Sequence, residues 1–134
     1  MRAAFIAFSM YSRIPMPMFE WKEEDMKYAM CFFPAIGMVI GAVFYGMFLL
    51  LSWLLPGSFL AAGILLAVPI FITGGIHVDG FMDTCDARAS YGDREKKLAI
   101  LKDTHTGAFA VIFGALYLIL YAAACMELDR ETAV

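Results

Sequence analysis

The chain has 134 residues, 62% hydrophobic and 17% charged, with a net charge of -3. A domain this small cannot bury so large an apolar fraction in water, because surface dominates its volume; disorder and a water-soluble core are both excluded, leaving a lipid bilayer as the solvent. Its 10 Lys and Arg residues form no basic stripe, so nucleic acid is not expected as a partner.

In chain order, residues 3–10 are too short to cross a bilayer and read as an interfacial or packed amphipathic piece. Residues 28–55 are 28 in a row without a formal charge, more than the roughly 20 a helix needs to cross the hydrocarbon. Pro34 with Gly37, Gly41 and Gly46 predicts a bent first span whose Gly37/Gly41 pair, a GxxxG, admits a close helix neighbour. Met10, Met16, Met18 and Phe19 before it read as lipid-facing or packing residues, with a substrate-facing role as the alternative. Pro56-Gly57-Ser58 breaks the chain, and a second apolar run from Phe59 ends in Gly74-Gly75 and reaches Ile76. A third run covers 107–126. Cys31, Cys85 and Cys125 show no CxxC and read as reduced, packed thiols.

The expected fold class is therefore an all-α integral membrane protein. A single membrane domain over 1–134 has about three transmembrane helices, 28–55, 59–76 and 107–126, plus short interfacial helices. An acidic cytoplasmic-side site lies in the loop 77–106. Nine of the ten basic residues, Arg2, Arg13, Lys22, Lys27, Arg88, Arg94, Lys96, Lys97 and Lys102, lie before span one or between spans two and three, against Arg130 alone after span three. The positive-inside bias puts the N-terminus and this loop on the cytoplasmic face of a cytoplasmic membrane.

In the loop, Asp79, Asp83 and Asp86 stand at i, i+4 and i+7, within a sector of about 60° on a helix. Three like charges on one face repel one another, and Arg88 points to the opposite side, so a divalent cation is the expected partner. Magnesium suits this set, since it takes one or two carboxylates plus substrate phosphates and keeps several waters. Asp93 is placed as the N-cap of a second surface helix bearing Arg94, Lys96, Lys97 and Lys102, which suit contact with a phosphate-bearing substrate or act as positive-inside anchors. Asp103 stands one turn before the third span, and a hairpin connection would bring it to Asp79. His77 and His105 each lie two residues from a boundary aspartate; His77, after the paired glycines, is the better candidate for proton or phosphate handling.

The run GGIHVDGFMDTCDA, followed by GDREKKLAILKDTHTGAFAV, resembles the cobalamin synthase family, the adenosylcobinamide-GDP ribazoletransferases, whose hallmark is GGxHxDGxxDxxDA followed by a GDR…L.I.KD…G segment. Ser12-Arg13-Ile14-Pro15-Met16-Pro17 is similar to that family's T-R-x-P-x-P stretch. Family members are longer and have more spans, so the resemblance implies an N-terminal portion or a short member. It also implies a magnesium-dependent transfer. A ribose hydroxyl of α-ribazole, or of its 5′-phosphate, attacks the cobinamide-bound phosphate of adenosylcobinamide-GDP and GMP leaves. Carried over by position, Asp79, Asp83 and Asp86 bind Mg2+, Asp103 completes the metal site or acts as base, His77 handles phosphate or a proton, and Arg94, Lys96, Lys97 and Lys102 contact the diphosphate. The other expected partners are the lipid bilayer and further copies of the chain in a homo-oligomer. A small ion-coupled carrier using interfacial aspartates is the alternative, but transport predicts acids inside a span, and spans one and three contain none.

Overall fold

The structure, a computed structural model, describes residues 2–17 and 23–132. Met18, Phe19 and Lys22, and the side chain of Arg130, lie outside the described residues. The described elements are all helical: α1 (Arg2–Tyr11), α2 (Glu23–Ala29), a 3-10 turn (Met30–Phe32), α3 (Phe33–Leu54), α4 (Phe59–Thr73), α5 (Ile76–Ala89), α6 (Arg94–Ile100) and α7 (Ala108–Thr132). This is the all-α membrane protein that the composition demands.

The first span begins earlier than expected. Asp25–Leu54 is a continuous helical stretch of 30 residues, long and apolar enough to cross a bilayer, as is Ala108–Leu128 in α7. Pro34 stands just after the 3-10 turn Met30–Phe32, at the start of α3. It occupies the first turn, where a missing N–H costs nothing and the fixed φ favours helix entry. The glycines behave differently from the expectation too: a Cβ added at Gly37, Gly41 or Gly46 meets nothing within 4 Å, so among the described residues no helix packs on the GxxxG face.

The second span differs most. Ser58 caps α4 through its Oγ, which accepts the Leu60 N–H at 3.2 Å, but the helix stops at Thr73 after 15 residues, about 22 Å of rise against about 30 Å of hydrocarbon. Gly74 and Gly75 both take positive φ, 69° and 81°, a backbone region that costs residues with a Cβ dearly. The Gly75 N–H closes back on the Ile70 carbonyl at 2.9 Å, in the manner of a Schellman stop. Two left-handed residues in succession turn the chain by 91°, and α5 departs across the axis of α4.

Among the described residues two clusters of buried side chains hold the helices together. Leu51, Ala61, Ala62, Leu65 and Cys125 join the end of α3, the start of α4 and the far part of α7; the paired alanines let the backbones approach. Ile6, Ala7, Ala29 and Ile36 seat α1 against the start of α3, so α1 is packed. Met38, Trp53, Phe59 and Phe71 are more than two-thirds exposed, as residues facing acyl chains are.

Candidate functional site

The site is built from three pieces: the turn at Gly74-Gly75, the acid-bearing helix α5, and the start of α7. At the turn, the Arg13 N–H donates to the Ile72 carbonyl at 2.7 Å, and the Arg13 side chain lies so close over Gly74 that an added Cβ would stand 2.6 Å from its Nε. Arg13 is exposed and, among the described residues, carries no ion pair. It therefore sets a positive charge beside the first turn of α5. The Ser12–Pro17 resemblance marked this stretch without giving Arg13 a role.

Residue His77, on that first turn, is braced by rings. It stacks on Tyr11 with centroids 6.3 Å apart and meets Phe33 edge-on at 5.7 Å, tying α5 to α1 and α3. Beside it a cleft of about 310 Å³ runs between α3, α4, α5 and α7, lined by Ile36, Ile40, Thr73, Val78 and Tyr117 among others.

The helical spacing of Asp79, Asp83 and Asp86 is real, since all three lie on α5, yet their surroundings differ. Among the described residues the carboxylates of Asp79 and Asp83 have no hydrogen bond or ion pair. Asp86 has two. Its Oδ2 accepts the Gly107 N–H at 2.7 Å and its Oδ1 the Ala110 N–H at 2.9 Å. These are orphan donors of the first turn of α7, whose own flanking residue Gly107 has no side chain to cap them. A Cβ at Gly107 would stand 2.6 Å from Oδ1 and 2.7 Å from Cγ, so the glycine is what admits the carboxylate. One turn earlier Met82 lies on Gly114, its sulfur 3.1 Å from where a Cβ would be. Small residues on α7 thus receive the larger ones of α5 at both points.

Asp103 sits in the loop between α6 and α7, and its Oδ1 is 2.6 Å from the His105 Nδ1 and accepts the His105 backbone N–H at 3.0 Å. The side-chain hydrogen bond from His105 lowers the Asp103 pKa below its ordinary value, with the backbone N–H groups helping. Asp103, His105 and Asp86 line one cleft of about 420 Å³ with Ser90, Gly107 and Phe109. The acid that Asp103 meets across the joint is thus Asp86, where a meeting with Asp79 was expected; Asp79 lies two turns along α5, about 10 Å away by helical rise. Among the described residues no three His, Cys, Asp or Glu side chains converge to hold one ion. Asp79 and Asp83, one turn apart and both without a partner, fit the mode in which magnesium takes one or two carboxylates and completes its shell with phosphate and water.

On α6, Asp93 caps as expected, accepting the Lys96 N–H at 2.9 Å. Lys96 Nζ donates to the Tyr91 carbonyl at 3.0 Å, while Arg94, Lys97 and Lys102 carry no ion pair among the described residues.

Described elements that are all helical, with apolar spans and an acidic helix starting at a left-handed glycine turn, define a membrane protein with a polar site at the edge of its apolar helices. The family model described as cobalamin-5-phosphate synthase matches residues 3–134, and the chain belongs to that family. Along its full length it is 52% identical to the adenosylcobinamide-GDP ribazoletransferase of Lachnoclostridium phytofermentans, of which it covers 51%. It is 44% identical over 119 residues to that of Clostridium perfringens, covering 89% of this chain and 47% of the relative. With that of Geotalea daltonii it shares 38% over 121 residues, covering 90% and 49%. The chain spans about half the length of these curated relatives. No solved structure matches it.

Proposed function

We propose that this chain carries the phosphate-handling site of a magnesium-dependent adenosylcobinamide-GDP ribazoletransferase. A ribose hydroxyl of α-ribazole, or of its 5′-phosphate, attacks the phosphate on cobinamide, the bond to GMP breaks, and adenosylcobalamin, or its 5′-phosphate, forms. The observation that carries the reading is the pair Asp79 and Asp83, unpartnered on a helix that leaves an apolar one at a right angle, in a chain 52% identical to a protein of that name.

Phosphoryl transfer asks for charge neutralisation and alignment more than for covalent help. Asp79 and Asp83 would hold Mg2+, which when bound neutralises phosphoryl oxygens. Arg13, Arg94, Lys97 and Lys102 supply cations to the diphosphate, and His77, braced by Tyr11 and Phe33, contacts phosphate. Asp103, hydrogen-bonded by His105, is the acceptor that orients the attacking hydroxyl and takes its proton. The site faces the cytoplasm, a reading that the bias of the basic residues supports.

The test is GMP release from adenosylcobinamide-GDP and α-ribazole with magnesium, in membranes carrying this chain joined to the C-terminal half of the L. phytofermentans relative. Release is expected, and Asp79→Asn or Asp83→Asn should abolish it while leaving membrane insertion intact. Undiminished release from both variants removes the metal role; no release from the unaltered protein removes the activity.

A further inference from the structure

We propose that Asp86 is a positioning residue: it clamps the start of α7, and with it the Asp103–His105 loop, against α5, and does not ligate metal. The sequence groups it with Asp79 and Asp83, but the geometry separates them. Both Asp86 oxygens accept backbone N–H groups, at 2.7 and 2.9 Å, and the neighbour that brings those groups within reach is a glycine with no room for a Cβ. A carboxylate in this arrangement has its charge matched by the positive end of a 25-residue helix, leaving little gain from a cation on the same oxygens. The cap acts across the fold, since its donors lie 21 and 24 residues further along the chain. A helix start held this way is tied to α5 at its first turn, whereas a cap within α7 would add no tie there. The loop hung from that start carries Asp103 and His105 into the cleft that Asp86 also lines. Distances from the Asp79 and Asp83 carboxylates to the Asp103–His105 pair thus depend on this joint at the start of α7, while the Met82–Gly114 and Phe81–Tyr117 contacts hold the helices further along.

Capping and clamping are separable by moving the cap. In Asp86→Ala the Gly107 and Ala110 amides lose their acceptor, and their hydrogen exchange should quicken at least tenfold. Adding Gly107→Ser supplies a cap within α7, so protection at Ala110 should return while the tie to α5 does not. Spin labels on Cys85 and on a cysteine replacing Thr104, with Cys31 and Cys125 changed to alanine, report the tie directly. Their distance distribution should be narrow in the parent and broad in both Asp86→Ala and the double variant.

The turnover measurement alone rests on the proposed transfer. There both variants should lose at least tenfold in kcat with the half-saturating magnesium concentration unchanged. Unaltered exchange at Gly107 and Ala110, a distance that narrows again in the double variant, turnover restored by Gly107→Ser, or a magnesium requirement raised tenfold by Asp86→Ala would each overturn the assignment. A parent that releases no GMP overturns the transferase reading instead, and the exchange and distance measurements still decide the role of Asp86.

Discussion

The glycine at the start of α7 gives the sharpest stability test. In Gly107→Ala the new methyl would stand 2.6 Å from Asp86 Oδ1 and 2.7 Å from Oδ2, well inside the separation that real Cβ atoms keep. The carboxylate must retreat by most of an ångström, which stretches both hydrogen bonds beyond useful length. Each bond to a charged group contributes about 1.5–3 kcal/mol, part of which water restores at this half-open cleft, so about 2–4 kcal/mol is at stake. Against it stands a gain of about 0.4–1 kcal/mol from the smaller unfolded-state entropy of alanine. The net expectation is a loss of about 1–3 kcal/mol, read as the shift in detergent-solubilised unfolding. The control is a double-mutant cycle: in an Asp86→Ala background the clash partner is absent, and Gly107→Ala should become neutral or slightly stabilising. Equal destabilisation in both backgrounds would refute the contact.

Other expectations follow from single features. Gly74→Ala forces a Cβ into left-handed backbone and against Arg13, and should cost about 1–3 kcal/mol in the same unfolding measurement; Arg13→Ala relieves the collision but not the backbone strain, so only part of the loss should return. Ser52 has a buried hydroxyl oxygen without a partner among the described residues, so Ser52→Ala should be neutral or stabilising by up to about 1 kcal/mol; a clear loss would reveal a missed acceptor. The Asp103 carboxyl, depressed by its bond to His105, should titrate below an ordinary aspartate in carboxyl-carbon NMR and move up in His105→Ala. Because the folded value is the lower one, the stability this contact contributes is present above the ordinary aspartate pKa and lost as pH falls through the depressed one; an unshifted titration in His105→Ala would contradict the pairing.

What the sequence makes legible is whatever depends on residues near one another. The 28 uncharged residues at 28–55 announce a span, and Asp93 before Arg94 announces a cap, because both signals are local. Gly74-Gly75 announces the end of α4, but the right-angle turn taken there is not readable from hydropathy, because it lies in the sign of φ. Pro34 announces an irregularity near the start of the first span, and the 3-10 turn Met30–Phe32 lies just before it. Asp86 is the hardest case. Its type and spacing match those of Asp79 and Asp83, and what separates it is a pair of backbone amides in a helix that the spacing cannot see. Arg13 is similar, since its place over Gly74 comes from the docking of the segment after α1 on the end of α4.

The fit between Asp86 and Gly107 has a hereditary consequence. A larger residue at 107 collides with the acid, and a neutral residue at 86 leaves the glycine uncapped, so neither position can drift while the other stays. Lineages that depart from one member of the pair should depart from the other, and a descendant that alters a single member should carry a new hydroxyl or carboxamide nearby as its substitute.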